Sequence, residues 1–589
     1  MSALIVGILS LGSGAAPDWR HIENGFEIPS QGYADQPYVV VLDDGTWVCT
    51  LTTGPGNEGD ARQHVVSTRS TDQGRTWAGL IDIEPAGPPE ASWVMPLLVP
   101  AGPGPAGRIY AFYVYNSANI REAKGSAGQA FKRVDTLGSY VFKYSDNGGL
   151  SWSRERFEVP IRPFKCDLEN VYGGEVRFFW GVGKPIIHEG AAYIGMSKVG
   201  ALGQGFLEQS EGFFLRSDNI LGEPDPAQIQ WETLPAGDVG LLAPKGPIAE
   251  EHNLVALSDG SLYCTYRTTE GHPCHAYSRD GGRTWNDRQY MTYAPGGRRV
   301  KHPRAANFVW KCGNGKYLYW FHNHGGQDYA GRNPAWLSGG VERDGHIHWA
   351  EPEIVLYTDD PGERMSYPCL IEDGGAYFIT ETQKTVARVH RLDTTLLEGL
   401  WTQHERAEAA TDGLLLDLGA AECMPGAAYD LPPLPRLAGG GGLSVELWLD
   451  APEGAGPQVL VDARDEAGKG FALMATESGA ARIELNDGQR TAAWESDPGL
   501  LMAGEWHHVA AIVDGGPKII TFVVDGVLCD GGTERAQGWM RFDAALDDIN
   551  GPGRLTLAPG LLGRLGGVRV YGRYLRTSEA VGNYRAGRH

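Results

Sequence analysis

Three eight-residue stretches of this chain follow one pattern: Ser70-Thr71-Asp72-Gln73-Gly74-Arg75-Thr76-Trp77, Ser145-Asp146-Asn147-Gly148-Gly149-Leu150-Ser151-Trp152 and Ser278-Arg279-Asp280-Gly281-Gly282-Arg283-Thr284-Trp285. In each, an aspartate can accept hydrogen bonds from the backbone N–H groups of its own turn. A glycine supplies positive φ, and a tryptophan closes the turn from below. A hairpin turn recurring at such intervals marks a radial array of small sheets. Alternating apolar runs fall into six units, each ending in this turn or a degraded form of it, which predicts an all-β fold that begins as a six-bladed β-propeller.

The first unit runs from Tyr38-Val39-Val40-Val41-Leu42 to Trp77 and the second from Trp93-Val94-Met95-Pro96-Leu97 to Trp152. The third runs from Pro185-Ile186-Ile187 to a degraded turn at Ser217-Asp218 and Trp231, and the fourth from Leu254-Val255-Ala256-Leu257 to Trp285. The fifth contains Tyr317-Leu318-Tyr319-Trp320-Phe321 and ends near Trp349, and the sixth starts at Tyr367 and ends near Trp401. In a propeller the loops at one end of the blades surround the central axis, so side chains distant in sequence converge on one pocket. Beyond Trp401 the composition shifts to Ala, Gly and Glu, and new alternating strands begin at Leu443–Leu449, Glu505–Val513 and Thr521–Leu528. The expected division is a propeller over 1–405 and a β-sandwich of jelly-roll type over 406–589.

A length of 589 residues with 82 glycines and 17 tryptophans suits a large, turn-rich β-protein of more than one domain. A formal charge of −22 repels phosphate backbones and anionic headgroups, so neither nucleic acid nor a membrane surface is an expected partner. An anionic substrate would need arginines of its own. The apolar run Met1–Leu11 has two readings, a signal peptide or a propeller strand, and the first would make the chain secreted or periplasmic. Eight cysteines are scattered without the close pairs of a zinc ribbon, and no cofactor is expected. Cys264 and Cys274 flank a hairpin turn, but buried free thiols are the commoner state in a β-core of this size.

The repeated turn resembles the Asp box of sialidases and related propellers, and the strands around Trp506-His507-His508-Val509 and Val524-Asp525-Gly526-Val527 resemble the laminin-G or concanavalin-A-like jelly roll. Such modules bind glycans or brace a catalytic domain, and bracing is favoured here because no cluster of exposed aromatics is evident. The sialidase resemblance implies roles for particular residues. Glu250-Glu251-His252-Asn253, with a returning strand ending at Arg267, resembles the segment where sialidases carry a catalytic glutamate and a carboxylate-binding arginine, which implies Glu251 and Arg267. Gly331-Arg332-Asn333-Pro334 resembles the site of another arginine of that triad. Ser366-Tyr367-Pro368-Cys369-Leu370 resembles the Tyr-Ser-x-Leu of the nucleophilic tyrosine, with Pro368 replacing a serine, and Glu381 resembles a glutamate that orients a triad arginine. A phenol needs a carboxylate such as Glu251 to draw off its proton. Asp60, with Glu58 as the alternate, lies in the Gly-rich loop where sialidases hold a general acid. Arginine suits a carboxylate clamp because its planar fork stays charged and donates two parallel hydrogen bonds.

The resemblance departs at one point. Where sialidases place the first triad arginine, this chain reads Tyr33-Ala34-Asp35-Gln36-Pro37-Tyr38, leaving Arg304 and Arg364 as possible substitutes. The implied activity is an exo-acting glycoside hydrolase that removes a terminal acidic sugar, sialic acid or a relative, from a glycan. A second reading is a uronide lyase or a rhamnosidase-like enzyme, with His252, His322 or His324 carrying the proton. A third is a glycan-binding protein without catalysis. His322 and His324 share a strand face, which does not complete a metal-ligand set.

Overall fold

The repeated turns form as their residue types require. Asp72 Oδ1 accepts from Ser70 Oγ at 2.8 Å and from the Thr76 N–H at 2.9 Å, while Oδ2 accepts from Thr76 Oγ1 at 2.6 Å. Asp280 repeats this set with Ser278 and Thr284 at the same three distances. In the second copy the role falls to Asn147, not Asp146. Its Oδ1 accepts from Ser145 Oγ and the Ser151 N–H, and its amide donates to Ser151 Oγ at 2.8 Å. The degraded copy likewise uses Asn219, whose Oδ1 accepts from the Gln230 N–H. The closing tryptophans reach the preceding blade: Trp152 Nε1 donates to Ser67 Oγ, and Trp285 stacks on Phe214 with centroids 4.7 Å apart. Asp280→Ala deletes three hydrogen bonds from one turn and is expected to lower stability by about 1–2 kcal/mol, measured by denaturant unfolding.

The computed structural model describes residues 17–203, 206–452 and 456–588; the apolar run 1–11 lies outside them. Six antiparallel sheets of four or five strands are arranged as blades between 26 and 391. The sixth blade holds an element that the sequence pattern did not reveal. Strand Phe26–Ile28 adds to its outer edge, pairing Glu27 with Arg388, so the chain's start closes the ring. Trp401 does not end a blade. It lies in helix Thr394–Thr402, and its indole donates to Tyr317 O at 2.9 Å.

Two sheets, of seven and six strands, form the β-sandwich between 414 and 571 around a core that includes Leu447, Phe471, Val513 and Phe522. The expected boundary at 405 falls between helix Thr394–Thr402 and strand Leu414–Gly419. Sandwich and propeller share an apolar cluster containing Tyr319, Trp336, Ile512, Val523 and Trp539. Glu353 accepts from the N–H groups of Thr577 and Ser578 at the start of helix Thr577–Ala586, and Arg20 pairs with Asp514 at 2.6 Å. Such extensive burial fits a brace. Cys264 stands across from Ala276, and Cys274 across from Tyr266, so their sulfurs are not opposed; both are buried free thiols. Among the described residues no helix is long and apolar enough to cross a membrane.

Candidate functional site

The inner strands of several blades enter the axial region through a local break in register. Breaks fall between Asp35 and Tyr38, Ser92 and Met95, and Glu250 and Asn253. Gln36, Trp93, Glu251 and Tyr367 all have positive φ, at 53°, 62°, 60° and 46°. Left-handed backbone at a non-glycine residue stores strain, and its recurrence at one end of the blades marks where side chains are being re-aimed. Asn253 holds the Glu251 bulge in place, its Nδ2 donating to Glu251 O at 3.1 Å and to Asn307 O at 3.0 Å.

Across the axis, Tyr367 Oη donates to Glu251 Oε1 at 2.8 Å, and both residues are buried. They lie 116 positions apart in sequence. Burial, reinforced by neighbouring Glu250, keeps the Glu251 carboxyl above the ordinary carboxylate range despite the opposing Arg267 guanidinium. Burial and the Glu251 charge also raise the Tyr367 phenol well above its ordinary value. The pair can therefore pass a proton from phenol to carboxylate but does not ionise the phenol at rest.

The arginines are arranged differently from a free clamp. Arg267 Nε donates to Glu250 Oε2 at 2.7 Å, and its Nη1 lies 2.9 Å from Glu251 Oε2 as an ion pair. Arg304 Nη2 donates to Glu250 Oε1 at 2.5 Å and to Leu207 O at 3.0 Å. Burial alone would raise the Glu250 carboxyl, but Arg267 and Arg304 outweigh it and hold the group below its ordinary range. Arg332 Nη1 donates to Ser366 Oγ, beside Tyr367, at 2.7 Å, and Nε donates to Tyr329 O at 3.1 Å. Among the described residues neither Arg332 nor the exposed Arg364 makes an ion pair with a carboxylate.

On the blade-one side, Asp35 stands where the missing arginine was expected, paired with Lys384 at 2.8 Å. Lys384 also pairs with Glu58 at 2.9 Å, and its Nζ lies 4.1 Å from the Tyr367 ring centroid. Glu58 is further held by Arg133 at 2.7 Å, and Arg133 by Asp135 at 2.8 Å. Burial raises Asp35, and it takes Asp135 to about 6, whereas Lys384 and Arg133 overcome burial and hold Glu58 below the ordinary range.

Five residues singled out in the sequence sit differently from expectation. Asp60 turns onto its own loop, where its Oδ2 accepts from the Asn57 N–H at 2.7 Å, while the alternate Glu58 pairs with Lys384 over the Tyr367 ring. Glu381 orients no site arginine, because Gln383 and His390 surround its carboxylate. His252 points between blades, stacked on Tyr266 at 4.5 Å and edge-on to Phe214, with its imidazole lowered to about 3 by burial. His324 is a loop brace: its Nδ1 accepts from the Gly326 N–H at 3.2 Å and its Nε2 bonds Gly331 O at 2.8 Å, which specifies the Nε2–H tautomer. His322 similarly bonds Pro334 O at 3.2 Å. None of the three histidines takes the place of Tyr367.

Residues 426–581 match the family model described as the Concanavalin A-like lectin/glucanases superfamily. No curated protein matches the chain. Among solved structures the chain is similar to Trypanosoma rangeli sialidase, with 13% identity, 94% of each chain covered and a TM-score of 0.43. It is also similar to the Hadza microbial sialidase Hz136, with 17% identity, 64% of this chain and 68% of that one covered, and a TM-score of 0.43. A protein of unknown function from Dyadobacter fermentans aligns at 15% identity over 63% of this chain and 97% of its own, with a TM-score of 0.45.

Proposed function

We propose that this chain is a glycoside hydrolase that releases a terminal sugar at the propeller axis through a tyrosine nucleophile. The observation that carries this reading is the buried Tyr367–Glu251 hydrogen bond of 2.8 Å, set between strained backbone positions. Tyr367 Oη attacks the anomeric carbon as its proton moves to Glu251 Oε1, which breaks the glycosidic bond and forms a glycosyl–tyrosine ether. Water then displaces the tyrosine, its proton going to the group that protonated the leaving oxygen while Glu251 returns its own proton to the phenolate. The leaving oxygen is protonated from the Asp35–Lys384–Glu58 cluster on the flank of the Tyr367 ring, a role that replaces the one first expected of Asp60. Two displacements retain anomeric configuration. An acidic sugar is the preferred substrate class, because Arg332 and Arg364 make no ion pair with a carboxylate among the described residues.

The test is mass spectrometry of products from sialylated, uronic-acid-rich and rhamnose-capped oligosaccharides. A released monosaccharide with one added water is expected, and a product carrying a new double bond would exclude the tyrosine route. The pH profile gives a second check. Glu251 must be ionised to act, and its carboxyl is raised by burial, so activity should fall on acidification at a pH above the ordinary glutamate value of 4.5.

A further inference from the structure

We infer that Tyr329 is the specificity gate of the arginine cluster: its ring lies over Arg332, the buried guanidinium without a carboxylate partner that a substrate carboxylate would reach, and over its paired neighbours Arg267 and Arg304, and the size of this side chain decides whether anionic sugars enter. The inference rests on the axial pocket being the sugar site proposed above.

The Tyr329 ring centroid lies 4.8 Å from Arg304 Cζ, 5.7 Å from Arg267 Cζ and 5.9 Å from Arg332 Cζ. One aromatic ring thus lies within 5.9 Å of three cations contributed by three separate segments of the chain. The arginines beneath it are 4–6% exposed, whereas Arg364 on the neighbouring loop is open to solvent. The backbone of the loop is pinned on both sides of the ring. Arg304 N–H donates to Asp328 O at 3.0 Å, and Arg332 Nε donates to Tyr329 O. His324 ties Gly326 to Gly331. The ends of the loop are fastened to the sandwich: Gly325 N–H donates to Ala536 O at 2.7 Å, Trp539 Nε1 donates to Asn323 O at 2.8 Å, and Arg541 Nη2 donates to Asn333 Oδ1 at 3.0 Å.

The side chain of Tyr329 is the part left unfastened. Its hydroxyl is buried yet has no hydrogen-bond partner, so ring contacts alone hold it. A buried hydroxyl without a partner is unfavourable, and either rotation to solvent or a hydrogen bond to a sugar hydroxyl relieves it. The sandwich, by fixing the loop ends, confines any opening to this one residue.

The experiment labels the full chain with phenylglyoxal and maps modified arginines by peptide mass spectrometry, in wild type, Y329F and Y329A. The expected result is fast modification of Arg364 and protection of Arg267, Arg304 and Arg332 in wild type and Y329F, with Arg332 and Arg304 becoming reactive in Y329A. Isothermal titration with D-glucuronate and N-acetylneuraminate should show a gain of about tenfold in affinity for Y329A, the size of one charge-assisted hydrogen bond, with none for their methyl esters. Equal labelling of Arg332 and Arg364 in wild type, or unchanged protection in Y329A, would overturn the gate. Where Y329A does not fold, Y329L takes its place, and a protection of Arg332 unchanged from wild type would overturn the gate. Absence of glycan cleavage by wild type would instead sink the hydrolase reading, and the labelling pattern would still judge the gate.

Discussion

Glu251→Gln should abolish turnover while sugar binding persists, at some cost in stability because the 2.9 Å ion pair with Arg267 is lost. The amide keeps the shape of the carboxylate and can still accept from Tyr367 Oη, so the 2.8 Å contact survives. What it loses is the capacity to take the phenolic proton. Positioned proton transfer contributes about 10²–10⁴-fold to rate, and here it also gates formation of the nucleophile, so kcat should fall by about 10³-fold or more. Tyr367→Phe should fall comparably, since it deletes the attacking atom but keeps the ring against Lys384 and Trp93. The double variant should be little worse than either single one, because the two residues act as a unit. Initial rates on the cleaved oligosaccharide, with binding followed by titration, check this. If E251Q retained a tenth of wild-type turnover the proton route would be wrong, and if both turnover and binding were lost the change would be structural.

The largest expected stability loss lies one residue earlier. Glu250 is fully buried and takes Arg267 on one oxygen and Arg304 on both. Glu250→Gln leaves two buried guanidiniums short of a carboxylate, and breaking a buried ion pair costs about 3–5 kcal/mol. The pH dependence has a definite sign. Arg267 and Arg304 hold this carboxyl below its ordinary value of 4.5, so its stabilisation is present above that value and is lost as pH falls through the depressed one. Urea unfolding at pH 7 and pH 3.5 should show the E250Q deficit shrinking on acidification. Because the Glu250 charge also raises Glu251, the acid limb of activity in E250Q should move to lower pH. A variant as stable as wild type at pH 7 would show that the arginines are held by other partners.

The grouping of the candidate site was legible where a residue type is demanded by its own short segment. Glu251, Arg267, Arg332 and Tyr367 each sit in a recognisable strand or turn context, and all four meet at the axis. The failures share a cause. Asp60 and Glu58 occupy one loop, and nothing local says which of them turns inward; the decision belongs to Arg133 and Lys384, which arrive from elsewhere in the chain. Glu381, on the second strand of its blade, and His252, on an inner strand, have suitable chemistry, but strand alternation and blade packing aim them at His390 and Tyr266. Lys384 and Tyr329 have no motif at all, and their importance comes from standing over the ring of Tyr367 and over the arginines.

What this sequence determined by itself is local and repetitive. Asp72, Asn147 and Asp280 close their turns with bonds inside six residues, and alternating apolar runs specify blades and sandwich through a period of two. Tertiary structure alone decided how the ring closes, with Phe26–Ile28 zipped onto the last blade, and which charges face which. Arg267 and Arg304 became partners of Glu250, and Asp35 a partner of Lys384, because burial forces each charge to find the opposite charge that the fold brings nearest. That choice depends on distances across the axis between segments up to 349 residues apart, to which no window of sequence has access.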